Sequence, residues 1–247
     1  MLSIVSKDEM DVELLPTLRP VAARVGMMRA VIRHALAPVV PRAAERLGLP
    51  RTLPPGASGV AITFDDGPHP EGTPAVLELL AHAGARATFF LIGEQVERRP
   101  SLAAEIAAAG HQIALHGHRH VLQLRMSSSA VRADLARGQA TIEDATGAGL
   151  GHHRPPYGVY SPAGLQAARG AGMRPLLWSR WGKDWRRLTT PRRIASRALR
   201  DIQPRDVILL HDGDFYSSRE SHRRTAEALK IILTELKARE LDTVLPV

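Results

Sequence analysis

Val60-Ala61-Ile62-Thr63-Phe64-Asp65-Asp66-Gly67-Pro68 decides how the rest of the chain is read. Val60 to Phe64 are apolar or β-branched, the composition of a strand buried on both faces. Two carboxylates stand where it ends, and Gly-Pro turns the chain directly after them. Neighbouring residues on a strand point in opposite directions, so Asp65 and Asp66 are expected to hold different tasks, one on a metal and one on a proton. A turn closed by an Asx hydrogen bond also suits Asp-Gly-Pro, and the motif alone fits both readings.

Downstream the chain alternates strands and helices. Strands are predicted at residues 87–92, 112–115, 175–178 and 207–210, with 243–245 as a candidate last strand. Helices are predicted at 73–82, 101–109, 127–145, 162–169, 191–200 and 219–239. This order argues for a parallel sheet covered by helices, a fold whose active sites form at the carboxyl ends of strands. The residues that look chemical stand at those ends: Asp65-Asp66, His116, Asp184 and His211.

His116-Gly117-His118-Arg119-His120 puts three histidines into five residues. Two imidazoles and one carboxylate leave open positions on a divalent ion, as a hydrolytic site needs. On a helical turn His116 and His120 share a face and His118 points elsewhere; a solvated histidine-rich loop is the alternative. In Arg154-Pro155-Pro156-Tyr157-Gly158 two prolines stiffen the loop and leave the N–H of Tyr157 as a candidate oxyanion donor. Arg154 is a candidate brace for a carboxylate. His211, at the mouth of an apolar strand, is a candidate general acid or base, or else a satisfied neutral histidine. Asp184-Trp185 offers it a carboxylate partner and an apolar wall.

Composition narrows the classes. The 247 residues are 44% hydrophobic and 23% charged, which excludes wholesale disorder and collagen-like sequence. Aromatic residues are only 4%, so the core must be mostly Leu, Val, Ile and Ala. Without cysteine there is no disulfide framework, cysteine–zinc site or thiol nucleophile. The net charge is +8, and 29 of the 33 basic residues are Arg, but they are spread along the chain. No helix-turn-helix, zinc finger or aromatic–basic interleaving accompanies them, so no nucleic-acid partner is expected. No apolar run nears the roughly 20 residues that span a bilayer, and no secretory signal is visible. The cytoplasm is the expected compartment.

Residues 1–57 read differently, with seven prolines and no strand pattern. Leu18, Val21, Ala22, Val25, Met28, Val31 and Ala35 recur at helical spacing, with Arg19, Arg24, Arg29 and Arg33 largely off that stripe. A helix packed on the main domain is preferred to one lying on an anionic membrane, so peripheral membrane contact is not favoured. The expected organisation is a helical extension over 1–57 and a catalytic domain over 58–247.

Taken together, TFDDGP at 63–68, His-x-x-x-His at 116–120, RPPY at 154–157, DW at 184–185 and Leu-x-His at 209–211 resemble the polysaccharide deacetylase family. This family is also called the NodB homology domain or carbohydrate esterase family 4, and the resemblance runs from Val60 to Leu245. It implies an α/β fold, a distorted (β/α) barrel of about seven parallel strands. It also implies a divalent metal, zinc first, with cobalt, nickel or manganese as alternatives, held by Asp66, His116 and His120. Asp65 would be the catalytic base, His211 the acid, Arg154 the brace of Asp65, and Asp184 the orienting group of His211. Tyr157 would give its N–H to the oxyanion, and Trp185 would wall the acetyl pocket. The implied reaction removes an N-acetyl or similar N-acyl group from an amino sugar of a polymer, glycolipid or small glycoconjugate. An O-acetyl ester, a non-sugar amide and a non-catalytic carbohydrate-binding role are the alternatives. Two positions depart from the family pattern. Gly117 replaces a Ser or Thr whose hydroxyl would tie the loop, and Trp181 replaces a frequent Asp.

Overall fold

A fully buried run of five residues, Ala61–Asp65 (β1), forms the middle of the sheet. The computed structural model describes residues 36–38 and 40–246. The amphipathic stretch expected at residues 18–35 lies outside them. Around β1 stand β2 (Thr88–Leu91), β3 (Gln112–Leu115), β4 (His152–His153), β5 (Arg174–Pro175), β6 (Arg180–Trp181) and β7 (Val207–His211). They form one seven-stranded sheet in the order β5-β4-β3-β2-β1-β7-β6, with every pairing parallel. The alternation of elements predicted such a parallel sheet, and the family resemblance implied its distorted-barrel form with about seven strands. Both faces of its central strands are buried, as a parallel sheet demands.

The helices are α1 (Pro41–Arg46), α2 (Gly72–Ala83), α3 (Gly93–Arg98), α4 (Pro100–Ala108), α5 (Ser128–Thr146), α6 (Pro162–Gly170), α7 (Pro191–Ala198) and α8 (Ser221–Ala238). Sequence caps set several of their starts. The hydroxyls of Ser127, Ser161 and Thr190 accept from N–H groups of Ala130, Gly164 and Arg193. Among the described residues no helix is long and apolar enough to cross a membrane.

Register carries the chemistry to one end. Asp65 pairs with His211 across β1 and β7, so their side chains leave the sheet at one level and on one face. Leu115 pairs with His153 across β3 and β4, which brings the next residues, His116 and Arg154, to the neighbouring level.

Two strand expectations need correction. Of the expected 175–178 strand only Pro175 lies in β5 and pairs with β4; the carbonyls of Leu176 and Leu177 turn to the guanidinium of Arg154. The 243–245 segment makes a single bridge, Thr243 to Val60, and adds no strand. Residues 40–57 pack on the domain: Ala44, Leu49 and Leu53 are buried in the main core, and Leu53 N–H donates to Arg205 O at 2.8 Å.

The loop from His116 to His120 is tied down without a hydroxyl at Gly117. Asp134 of α5 accepts from the N–H groups of His118 (3.0 Å) and Arg119 (3.4 Å). The first N–H groups of α3, those of Gly93 and Glu94, bind the carbonyls of Gly117 and His118 at 3.0 and 2.9 Å. Gly117 itself lies at φ 110°, where a side chain would be strained. Gly138 of α5 lets the loop approach: a Cβ there would stand 2.8 Å from His118 N and 3.0 Å from Gly117 C. Gly138→Ala is therefore expected to cost about 1–3 kcal/mol by overpacking against backbone. Urea unfolding of the two proteins measures it, and an unchanged midpoint would contradict this packing.

Candidate active site

Asp65, Asp66, His116, His120, Tyr157, Trp185 and His211 line one cavity of about 260 Å³ at the carboxyl ends of the strands. Arg154 and Asp184 stand behind it, each on the side chain that it was expected to serve. All nine residues singled out from the sequence thus meet at one place.

The two aspartates face the same cavity, contrary to the strand alternation expected of them. Asp66 has left the strand: its φ of 82° turns its carboxylate back, a conformation that Asp tolerates better than most side chains. His116 and His120 come together on an irregular loop and not on a helical turn. His118 is directed away, 3.9 Å from Glu97.

Arg154 is fully buried. Its Nη1 donates to Asp65 Oδ1 at 2.7 Å and to Thr63 Oγ1 at 2.9 Å. Its Nε and Nη2 donate to the carbonyls of Leu176 and Leu177, each at 2.9 Å. Its guanidinium also lies over the Phe90 ring, 4.0 Å from the centroid. One oxygen of Asp65 is thereby fixed, and Oδ2 faces the cavity, 3.8 Å from His116 Nε2. Burial raises the Asp65 pKa from its ordinary value, and the charge of Arg154 opposes that rise.

The histidine tautomers follow from their partners. His116 Nδ1 lies 2.7 Å from the carbonyl of Arg154, which can only accept, so Nδ1 carries the proton and Nε2 keeps its lone pair. Burial holds His116 well below the ordinary imidazole range and His120 down to about 3, so both rings are neutral. His116 Nε2 and His120 Nε2 lie 3.5 and 3.3 Å from Asp66 Oδ1. That oxygen is buried and has no hydrogen-bond partner. Without a cation, burial pushes Asp66 up to about 7. A carboxylate oxygen facing two imidazole nitrogens, one of them a defined lone pair, suits a divalent cation better than a proton.

His211 is the cationic counterpart. Its Nδ1 donates to Asp184 Oδ1 at 2.8 Å, and its backbone N–H donates to Asp184 Oδ2 at 2.7 Å. Thr225 Oγ1 also donates to Oδ2, at 2.9 Å. Burial disfavours the imidazolium, but Asp184 outweighs it and His211 rises to about 10.

Tyr157 lies in the left-handed region at φ 62°, strained for a tyrosine and held by its proline neighbours. Its ring is edge-on to His120 with centroids 4.8 Å apart. Trp185 stands edge-on to His211 at 5.9 Å and packs on Trp181, which packs on Trp178. Trp181, at the departure from the family pattern, thus extends an apolar wall.

Sequence reading missed Trp178 and Tyr216 in this cavity. Trp178 belongs to the segment expected as a regular strand, and Tyr216 follows β7 in a loop without a periodic signal. It also missed Asp212, whose buried carboxylate accepts from Thr73 Oγ1 beneath the Asp65–Pro68 turn.

The profile of the polysaccharide deacetylase family matches residues 53–176. The chain is 34% identical to a chitooligosaccharide deacetylase of Azorhizobium caulinodans over 78% of its own length and 95% of that protein. The chain belongs to the polysaccharide deacetylase family. Among solved structures it resembles the Bc1960 peptidoglycan N-acetylglucosamine deacetylase, with a TM-score of 0.74 and 28% identity over 81% of this chain and 92% of that one. It also resembles BA3943 of Bacillus anthracis, described as a CE4 family pseudoenzyme, with a TM-score of 0.70 and 26% identity over 78% and 65% of the two chains.

The protonation of His211 gives this polysaccharide deacetylase a defined pH signature in its metal-free form. A pKa raised from 6.5 to about 10 contributes stability that is fully present below pH 6.5 and lost as pH rises toward 10. Urea midpoints of the chelated protein should fall across that window, and those of His211→Gln should fall less. Parallel curves for the two proteins would contradict a raised His211.

Proposed function

We propose that this polysaccharide deacetylase is a metal-dependent N-deacetylase acting on acetylated amino sugars, with N-acetylglucosamine of a chitooligosaccharide or glycan strand as its substrate class. One observation carries the reading: the partnerless Asp66 Oδ1 faces two neutral histidines beside a braced carboxylate and a cationic imidazole. The names of its relatives supply the substrate class. The catalytic domain is residues 58–247 and the extension is 1–57; no described residue of 36–57 lines the cavity.

Asp66, His116 and His120 would hold one divalent ion, zinc first among the candidates by donor type. When bound, it supplies Lewis acidity toward the acyl carbonyl and acidifies water in the cavity. Asp65 accepts the proton of the attacking water at Oδ2, while Arg154 keeps Oδ1 occupied and the carboxylate aimed. The Tyr157 N–H, carried by the strained turn, donates to the developing oxyanion. His211 is already protonated at neutral pH, and Asp184 fixes its ring through Nδ1, leaving Nε2 to protonate the departing nitrogen. Trp185 and Leu209 line the cavity as an apolar wall for the acyl methyl.

A proton donor held in place by Asp184 at His211 supports amide hydrolysis. An amine is expelled as a neutral molecule only after protonation, whereas an alkoxide-type leaving group demands less of its acid. The presence of Asp65, Asp66, His116, His120 and His211 together supports an active enzyme over a carbohydrate-binding relative.

Metal content and activity separate these roles. His116→Ala/His120→Ala should lose the ion, as read by elemental analysis of protein purified without chelator. Asp65→Asn should keep the ion and lose deacetylation by about 10²–10⁴-fold, followed as loss of acetyl mass from N-acetylated chitooligosaccharides. Equal metal content in the wild type and the double variant would remove those histidines from the site. Loss of the ion in Asp65→Asn but not in Asp66→Asn would exchange the aspartate roles.

A further inference from the structure

A second histidine–carboxylate cluster, His69, Asp214 and His222, lies behind the 212–220 loop that joins β7 to α8. Its donor types are those of a metal site, but the tautomer of His69 argues otherwise. His69 Nδ1 accepts the backbone N–H groups of Gly72 at 2.9 Å and Glu71 at 3.2 Å. In a neutral ring the proton must then sit on Nε2, which lies 3.2 Å from Asp214 Oδ1. A nitrogen that carries a proton offers a cation no lone pair.

The remaining contacts complete a clamp. Asp214 Oδ2 accepts the N–H of Glu220 at 2.6 Å and lies 3.2 Å from His222 Nδ1 in the first turn of α8. Asp214 is thus pinned from the turn after β1, from the end of its own loop and from α8. Phe215 adds to the grip, packed on His69 at 4.8 Å and beneath the Arg99 guanidinium at 5.2 Å.

The next residue, Tyr216, reaches the cavity. Its ring lies parallel to that of His120, with centroids 4.1 Å apart and planes 9° apart. Its hydroxyl accepts from Gln95 Nε2 at 3.1 Å, and Gln95 Oε1 accepts from Arg99 Nη1 at 3.1 Å. His120 has need of such a support. His116 is locked by the Arg154 carbonyl, whereas no hydrogen bond to another described residue orients the His120 ring.

We propose that Tyr216 is a positioning residue for His120, presented by a clamp of close contacts among His69, Asp214 and His222 that holds no metal. The role rests on the reading of Asp66, His116 and His120 as the metal site. Stacking fixes the plane of the His120 ring, so that its Nε2 stays directed at Asp66 before an ion arrives. The ring of Tyr216 supplies that effect, and its hydroxyl only anchors the ring to Gln95.

Histidine labelled at ring carbon ε1 allows the test in the full-length, metal-free protein. A stacked aromatic ring shields the His120 proton, so its resonance should move downfield in Tyr216→Ala and stay near its original place in Tyr216→Phe. Asp214→Asn should reproduce the alanine shift by releasing the loop. Zinc titration should then show an affinity about 10–100-fold weaker for Tyr216→Ala, near wild type for Tyr216→Phe, and one ion per chain in the wild type. A zinc affinity unchanged in Tyr216→Ala would overturn the positioning role, and an unmoved His120 resonance would overturn the stacking on which it rests. A second zinc in the wild type that His69→Ala abolishes would overturn the clamp. Zinc retained by His116→Ala/His120→Ala would instead overturn the metal reading, with the resonance shift still deciding whether Tyr216 stacks on His120.

Discussion

The buried guanidinium of Arg154 is the constraint on which the rest depends. A charge taken wholly out of water is tolerated only when it is paired and its donors are satisfied. Here Asp65 pairs it, and Thr63, Leu176 and Leu177 take three further hydrogen bonds, so that every nitrogen of the fork has a partner. The same requirement shapes the fold, because the carbonyls of Leu176 and Leu177 turn inward and the strand expected there ends at Pro175. The backbone carbonyl of Arg154 also fixes the His116 tautomer. One residue therefore crosses from β4 to β1, closes the gap before β6 and sets the state of two cavity groups. A lysine, with a point charge in place of a planar fork, could not make that set of contacts.

Charge is divided across the cavity by the same logic. On one side neutral imidazoles and a partnerless carboxylate oxygen form an electron-rich set suited to a cation. On the other, Asp184 keeps His211 charged despite burial. β1 and β7 place Asp65 and His211 in register, so proton acceptor and proton donor stand side by side for a reason of strand pairing alone. The proposed chemistry needs both states at one pH, and the two environments supply them.

Much of this was legible in the sequence, for identifiable reasons. β1, β2, β3 and β7 are apolar runs, and the polar residues that interrupt them mark their carboxyl ends. β4 and β6 were not legible: each is two residues long, and His152–His153 and Arg180–Trp181 carry no strand periodicity. Short α3 gave no helical period either, although its first N–H groups hold the histidine loop. The Asp-Gly-Pro run marks a turn, but not that its backbone brings the Asp66 carboxylate round to the side of Asp65. Tyr216 and Trp178 reach the cavity through tertiary contacts of loops, which local patterning cannot reveal. Gly117 read as a lost tether, but Asp134 and the start of α3 supply the tether from elsewhere in the chain.

Anomalous diffraction at the zinc edge from crystals of the full chain grown with zinc tests the central claim most directly. The account predicts one peak, bounded by Asp66, His116 and His120, with Arg154 still paired to Asp65. A cavity without a peak, or a peak bounded by His69, Asp214 and His222, would contradict it.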